Sequence, residues 1–193
     1  MEHIPILPLL VAFLHELGHA MTCLTTGGHV VTLQVNFDGS GFCTTSGGNQ
    51  ALIDCGGYLG SVIFGNIMLY VGIRHRYFSR VLSGIVAAAM IISSLIWFST
   101  FSSFIITAVI GGLLLFLFAK VAWSGRWFLI LAGTLSILYV IQDYRIGPSS
   151  DLEAFASVVG LTPLIWMYLW LGVALSITAT FLWMTFKKLK KKQ

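Results

Sequence analysis

Two histidines and a glutamate near the N-terminus have the residue types and the spacing to do metal chemistry. The stretch His15-Glu16-Leu17-Gly18-His19 fits the pattern H-E-x-x-H. On a helix, residues i and i+4 lie on one face, about 6 Å apart along the axis, so both imidazoles can bind one zinc ion. The glutamate beside them can take a proton from water that the metal makes acidic. The motif therefore predicts a zinc centre for hydrolysis, with Glu16 as its general base.

The composition indicates that a membrane protein must position this motif. Of the 193 residues, 57% are hydrophobic and only 9% are charged, whereas about a quarter of a soluble domain is charged. So little charge excludes a soluble fold, a disordered chain and a nucleic-acid-binding protein. The apolar runs are continuous and lack the alternation of a β-barrel strand, so they predict an all-α polytopic membrane protein, a single domain over residues 1–193. An ionisable group inside such a protein is a functional candidate by default.

Six apolar runs approach the length of about 20 residues that crosses a bilayer. They cover residues 6–25, 51–73, 80–99, 102–119, 127–143 and 163–186. The first run is interrupted by the H-E-x-x-H motif and has no positive segment before it, so it is not a cleavable signal peptide. The third and fourth runs are nearly contiguous and predict a tight helical hairpin.

The segment between the first two runs reads differently and predicts a β-hairpin insert at residues 31–45. Its alternating apolar residues are Val31, Leu33, Val35 and Phe37. A Gly-rich turn follows at residues 38–41, after which the chain can return as a second strand. A lone two-stranded hairpin is marginal in water, so we expect it to lie on the membrane domain. There it is a candidate for binding substrate by strand addition, or it serves only as a lid over the site.

Basic residues set the predicted orientation. Residues 74–80, residues 120–126 and the basic tail at residues 187–193 all fall on one side of a six-span arrangement. By the positive-inside rule this side is cytoplasmic, so the hairpin and the last loop, residues 143–162, face the outside. The sequence thus predicts a multi-pass protein of the cell membrane with a cytoplasmic C-terminal tail.

A catalytic zinc ion needs a third protein ligand and an open position for water. The other acids and imidazoles considered for this role are Asp38, Asp54, Asp143, Asp151, Glu153, His3, His29 and His75. His75 is excluded because it lies among arginines on the opposite side. Four crossings, an even number, separate the first run from the last loop, so Asp143 and Asp151 can both reach the motif. Asp54 is also on that side, although an aspartate at a helix start, such as Asp54 or Asp151, is often only a cap or dipole partner.

Three blocks of the sequence resemble the site-2 protease family of intramembrane zinc metallopeptidases, and in particular its small branch of bacterial and fungal peptidase-like membrane proteins. HELGHA lies in the first run, GGYLGSVIFGN opens the second, and DYRIGPSSDLEAFASVVGLTP precedes the last. In that family two histidines of the first motif and a distant aspartate hold the metal. The resemblance therefore implies His15, His19 and Asp151 as zinc ligands, with Glu16 as general base and Asp143 as the reserve ligand.

These residues predict hydrolysis of a peptide bond within or near the membrane, in a membrane-spanning or membrane-associated protein. Zinc is the expected cofactor, and it polarises the scissile carbonyl. Glu16 deprotonates the attacking water and passes the proton to the leaving amine. The expected partners are the membrane protein substrate and the lipid bilayer, with no nucleic acid. The sequence leaves the oligomeric state open.

Two other function classes compete with this prediction. A non-catalytic scaffold or pseudoprotease that binds membrane partners would contain no stoichiometric zinc. A transporter of a metal ion or proton would carry ionisable residues in several runs, whereas only the first run carries them near its middle.

The small residues at the start of the second run predict how the two first helices meet. Gly56, Gly57 and Gly60, together with Ser61, leave room for a close approach of the second helix to the first.

Overall fold

The structure is a computed structural model that describes residues 6–144 and 147–190. Its elements are α1 (Ile6–Thr25), β1 (His29–Val35), β2 (Gly41–Ser46), α2 (Gln50–Arg74), α3 (Arg76–Ile96), α4 (Phe101–Lys120), α5 (Ser124–Asp143), α6 (Ser150–Val159) and α7 (Pro163–Lys190). The predicted helical membrane fold, with a β-hairpin between the first two helices, is confirmed. Among the fully described residues, five helices are long and apolar enough to cross a membrane: α2, α3, α4, α5 and α7. Helix α1 covers the first predicted run.

The segment expected to be a loop between residues 143 and 162 contains a helix, α6. Ser149 caps this helix by accepting a hydrogen bond from the Leu152 N–H, and two acidic residues in its first turn favour the same end. One face of the helix is buried, through Leu152, Phe155 and Ala156. With ten residues α6 is too short to cross a bilayer, and it packs against α2 and α7 instead.

Helix α1 lies in the middle of the structure. Residues 9–14 are all 6% exposed or less, which covers more than one helical turn and therefore every side of the helix. The neighbours that enclose α1 are α2, α5 and both strands of the hairpin. The polar motif that follows in the same helix is consequently surrounded by protein.

Glycines bring α2 against α1, as the sequence predicts. A Cβ atom at Gly56 would lie 2.9 Å from the Gly18 carbonyl oxygen, and one at Gly60 would lie 3.0 Å from the Gly18 Cα. A larger residue would therefore push the two backbones apart. Ser61 is buried as well, without exposed surface. This close approach sets the backbone of α2 directly beside the motif.

The hairpin is antiparallel, with Leu33 opposite Cys43 and Val35 opposite Gly41. A β-bulge between Val30 and Thr32 interrupts the simple alternation that the sequence suggests. Because the extra residue changes which face the preceding side chains take, Val30 is buried together with Leu33 and Val35. Two members of the expected apolar face, Val31 and Phe37, are instead exposed.

The outer edge of β1 is closed by the connection between α3 and α4. The Leu33 N–H donates to the Trp97 carbonyl oxygen at 3.0 Å, and the Val35 N–H donates to Ser103 Oγ at 2.9 Å. A third bond runs from the Ser99 hydroxyl to Gln34 Oε1 at 2.7 Å. These bonds satisfy one edge of the hairpin and fix it on the helices.

The basic loops predicted to share a side do lie at one end of the bundle. Arg80 Nη2 donates to the Ala119 carbonyl oxygen at 3.2 Å, and Arg126 Nε donates to the Gly72 carbonyl oxygen at 3.0 Å. We call residues 74–80 and 119–126 the basic end. Of the tail, residues 191–193 lie outside the described residues.

Candidate metal centre

Three side chains from distant parts of the chain converge on one point. His15 Nε2 lies 3.0 Å from Asp151 Oδ2, and His19 Nε2 lies 3.2 Å from the same oxygen. The two imidazole nitrogens are themselves 3.2 Å apart. These residues form a group that can hold a metal ion, with ligand atoms all within 4.8 Å of one another.

Two helices deliver these groups. The histidines are one turn apart on α1, so their rings emerge on the same face. Asp151 stands in the first turn of α6, 136 residues later than His15. The burial of Leu152 beside it holds that first turn against the bundle.

A backbone carbonyl orients the second histidine. His19 Nδ1 lies 2.7 Å from the Ile53 carbonyl oxygen, which can only accept a hydrogen bond, so Nδ1 carries the proton. In the neutral ring Nε2 is then left with a lone pair that is directed at His15 and Asp151. Such a hydrogen bond behind the ligand is typical of metal-binding histidines.

The donor set fits a zinc ion. Two imidazole nitrogens and a carboxylate oxygen are ligands that zinc prefers, and their lone pairs repel one another unless a cation or a proton lies between them. Space for this arrangement depends on Gly57, because a Cβ at that position would lie 2.5 Å from His15 Nε2 and closer still to His19 Nε2.

The protonation state of the aspartate agrees with a ligand role. Burial alone would raise the pKa of the Asp151 carboxyl, but when the imidazoles are protonated at Nε2 their hydrogen bonds and charge outweigh burial and hold this pKa well below its usual range. Asp151 is therefore ionised at neutral pH, as a carboxylate ligand must be.

Glu16 lies beside the three candidate ligands in a cavity of about 450 Å³. The residue is 6% exposed, and the hairpin covers it: a Cβ at Gly41 would lie 2.7 Å from Glu16 Oε1. The cavity takes its walls from α1, α2, α5, α6 and the hairpin. Its polar and charged lining residues include His15, Glu16, His19, Thr45, Gln50, Asp54, Tyr58, Asp143, Ser149 and Asp151.

The structure places the reserve ligand Asp143 in the cavity wall but outside the ligand group. Its Oδ2 accepts a hydrogen bond from the Tyr58 hydroxyl. The ring of Tyr58 meets the His15 ring edge-on, with centroids 4.8 Å apart. Asp143 therefore contacts the centre through Tyr58. Asp54 also lines the cavity without joining the ligand group.

The remaining candidates lie away from the centre. The Asp38 carboxylate accepts hydrogen bonds from Ser40 in the hairpin turn. Glu153 and His29 are exposed, on α6 and at the start of β1, and His75 lies at the basic end. His3 lies outside the described residues.

Two contributors were missed by reasoning from the sequence. Tyr58 stacks on Tyr144 and contacts Trp170, so it joins α2 to the end of α5 and to α7. Its position inside the GGYLG block was the only signal that pointed to it. The Ile53 carbonyl could not be found, because a backbone acceptor has no signature in the side-chain sequence.

The family model described as Peptidase M50B-like matches residues 3–181 of the chain. The chain belongs to the Peptidase M50B-like family. The resemblance to site-2 proteases is thereby confirmed. No curated protein and no solved structure matches the chain. The matched range of this M50B-like chain includes Glu16 and all three members of the ligand group.

Proposed function

We propose that this M50B-like protein is an intramembrane zinc metalloprotease. Its substrate is a membrane-spanning or membrane-associated protein, cleaved at a peptide bond within or near the bilayer. The observation that carries the proposal is the convergence of His15, His19 and Asp151 beside Glu16, in a cavity of a peptidase-family protein.

Zinc is the proposed cofactor, held by His15 Nε2, His19 Nε2 and Asp151 Oδ2. When bound, the ion supplies Lewis acidity that polarises a peptide carbonyl and makes water more acidic. The chain itself keeps the ligands ready for the ion, since the Ile53 carbonyl fixes the His19 tautomer and Asp151 stays ionised. Because protein encloses α1 and excludes water, the electrostatic interaction of a bound ion with the peptide carbonyl is stronger there than in water.

Glu16 is the proposed general base. It follows His15 directly and lines the same cavity, so its carboxylate stands beside the ligand group. We propose that it accepts a proton from the attacking water and then donates that proton to the leaving amine nitrogen. The hairpin above it limits the paths by which bulk water reaches this carboxylate.

The free edge of β2 is the proposed site for the unwound substrate. The Leu33 and Val35 N–H groups point away from β2, because they bond to Trp97 and Ser103. In an antiparallel pair the opposite residues, Cys43 and Gly41, then direct their own backbone groups to the outer edge of β2.

Gly41 and Cys43 both line the cavity, so this edge runs beside the ligand group. A helical substrate must unwind before it is cut, since its amides are otherwise paired within the helix. An unwound substrate segment that adds to β2 as a further strand regains backbone hydrogen bonds. Its scissile bond then lies beside the ligand group.

We further propose that the protein resides in the cell membrane with its basic end and C-terminal tail in the cytoplasm, by the positive-inside rule. The exposed arginines and lysine at that end, Arg76, Arg80 and Lys120, are suited to anionic headgroups. The cavity lies toward the opposite end of α2, near Gln50.

The test of catalysis uses the purified full chain in liposomes with a panel of single-span protein substrates. Glu16→Gln is expected to lower kcat about 10²- to 10⁴-fold while zinc stays bound, because only the proton acceptor is removed. Glu153→Gln is the matched control, since Glu153 is an exposed acid on α6. Wild-type cleavage rates in Glu16→Gln would overturn the proposal.

Zinc content tests the ligand set independently of any substrate. The purified wild type is expected to bind one zinc ion per chain, and His19→Ala and Asp151→Ala are expected to lose it, because each removes one of three protein ligands. Asp143→Asn is expected to keep zinc. Wild-type protein without stoichiometric zinc would favour the non-catalytic scaffold instead.

A further inference from the structure

Asp54 is a buried carboxylate that the proposed mechanism does not use. It lies in the first part of α2 and in the wall of the cavity, and it is 6% exposed. Its Oδ1 accepts a hydrogen bond from Gln50 Nε2 at 2.5 Å. Its Oδ2 is buried and has no hydrogen-bond partner among the described residues. Leaving a carboxylate oxygen without a donor is costly, so a donor that reaches this oxygen would stabilise it.

The usual structural reasons for an aspartate near a helix start do not apply to Asp54. The N-cap of α2 is Asn49, whose side chain accepts from the Leu52 N–H, and the first turn of α2 contains no acid. Asp54 therefore lies beyond the turn in which the helix dipole is felt most. Nor does it belong to the group of residues that can hold the metal.

Asp54 lies close in sequence to a residue that orients the candidate metal centre. Asp54 follows Ile53, whose carbonyl oxygen accepts the His19 hydrogen bond. Asp54 also lines the same cavity as Glu16 and the candidate ligands, so a group bound at Asp54 shares that cavity with a peptide bond that reaches Glu16.

The charge of the cavity indicates what kind of group this is. Four carboxylates line it: Glu16, Asp54, Asp143 and Asp151. Among the described lining residues there is no lysine or arginine. Even with the two positive charges of a zinc ion the four carboxylates leave an excess of negative charge, so the cavity attracts a further cation.

We propose that Asp54 forms a subsite that binds a lysine or arginine side chain of the substrate, at a position flanking the scissile bond. This inference rests on the proposed function and names the substrate class for it. When the Asp54 side chain turns toward the cavity, a basic side chain supplies the missing donor to Oδ2, and its apolar stem can follow the wall at Ile53 and Cys43. An acidic side chain at the same position meets four carboxylates and is rejected.

The test compares peptides that differ at one position. In a peptide that the wild type cleaves, each position flanking the scissile bond is made lysine, norleucine or glutamate in turn. At one position the wild type is expected to show a kcat/KM for lysine roughly 10- to 100-fold above norleucine, with glutamate lowest, because a buried ion pair forms only with lysine. Equal kcat/KM for lysine and norleucine at every position would overturn the proposal.

Variants then assign the preference to this residue. Asp54→Asn is expected to bring the lysine-to-norleucine ratio close to one. Glu153→Gln is the control and should retain the wild-type ratio. A lysine preference that survives in folded Asp54→Asn would also overturn the proposal. Zinc content and the unfolding temperature identify a variant that does not fold. If Asp54→Asn does not fold, the test rests on the lysine preference of the wild type and on Asp54→Glu, which should retain that preference.

The outcomes separate this inference from the proposed function. Cleavage that persists in Glu16→Gln contradicts the hydrolytic mechanism whatever the peptide preference. Cleavage that depends on Glu16 but ignores lysine leaves the proposed function standing and removes only the basic subsite.

Discussion

The two ends of the helix bundle carry opposite charges in opposite surroundings. At the cavity end Glu16 and Asp54 are buried. At the basic end Arg76 and Arg80 are exposed. Charges in water cost little and can set the orientation of a membrane protein, whereas buried charges must be matched by partners. Substitutions at the cavity end should therefore change the chemistry of the site, whereas substitutions at the basic end should change only stability or orientation.

Among the glycine and arginine substitutions that compare the two ends, the largest effect on zinc affinity is expected from Gly57→Ala. The new Cβ would lie 2.5 Å from His15 Nε2, so it moves a ligand. We expect zinc affinity to fall about 10- to 100-fold and activity to fall with it. Competition with a chelator of known affinity measures the change. Gly84→Ala is the matched control, since a Cβ there meets nothing within 4 Å; equal zinc affinity in both variants would contradict the assigned ligands.

A more selective change is expected from Gly41→Ala. Its Cβ would lie 2.6 Å from Glu16 Cγ, and the flexible carboxylate must turn away from its position. We expect kcat to fall roughly 10²-fold, because a displaced base transfers protons poorly, while zinc content stays at the wild-type value. Steady-state kinetics and metal analysis of the same preparation check both. Gly172→Ala, in open space on α7, should match the wild type; a Gly41→Ala enzyme that keeps its kcat would show that the hairpin does not hold the base.

The smallest effect is expected at the basic end. Arg126→Gln removes the hydrogen bond from Nε to the Gly72 carbonyl oxygen. We expect the unfolding free energy to fall by about 1 kcal/mol, with zinc content and kcat unchanged. Thermal unfolding in detergent measures the change in unfolding free energy. A loss of zinc in this variant would contradict the expectation that the basic end does not affect the metal centre.

The helices and the motif could be predicted because their signals are local. Long apolar runs indicate helices by composition alone, and two histidines four residues apart share a helix face in any context. The same is true of the glycines that bring α2 to α1. The cap at Ser149 and the spacing of Leu152, Phe155 and Ala156 also mark α6, although its ten residues fall below the length that a hydropathy pattern reveals.

The rest depends on contacts between distant residues. Both Asp143 and Asp151 reach the cavity, but they have different partners there. Asp143 accepts a hydrogen bond from Tyr58, whereas Asp151 lies against the imidazoles. The closing of β1 by Trp97 and Ser103 is likewise a tertiary contact, without a local pattern. The β-bulge between Val30 and Thr32 leaves Val31 exposed, although the alternating pattern places it on the apolar face. The sequence does not reveal the bulge, since a bulge adds a residue without changing composition.

The distance along the chain between the ligands has a consequence for biosynthesis. Glu16 and both histidines are made first, whereas Asp151 comes 136 residues after His15, when α1 to α5 have already been synthesised. A growing chain thus carries Glu16 and two imidazoles but lacks the third candidate ligand. The full affinity of the candidate site for a metal, and with it the proposed proteolytic activity, arises only once α6 has been made and has packed into place. The order of the sequence therefore delays the proposed chemistry until the enclosure around it is nearly complete.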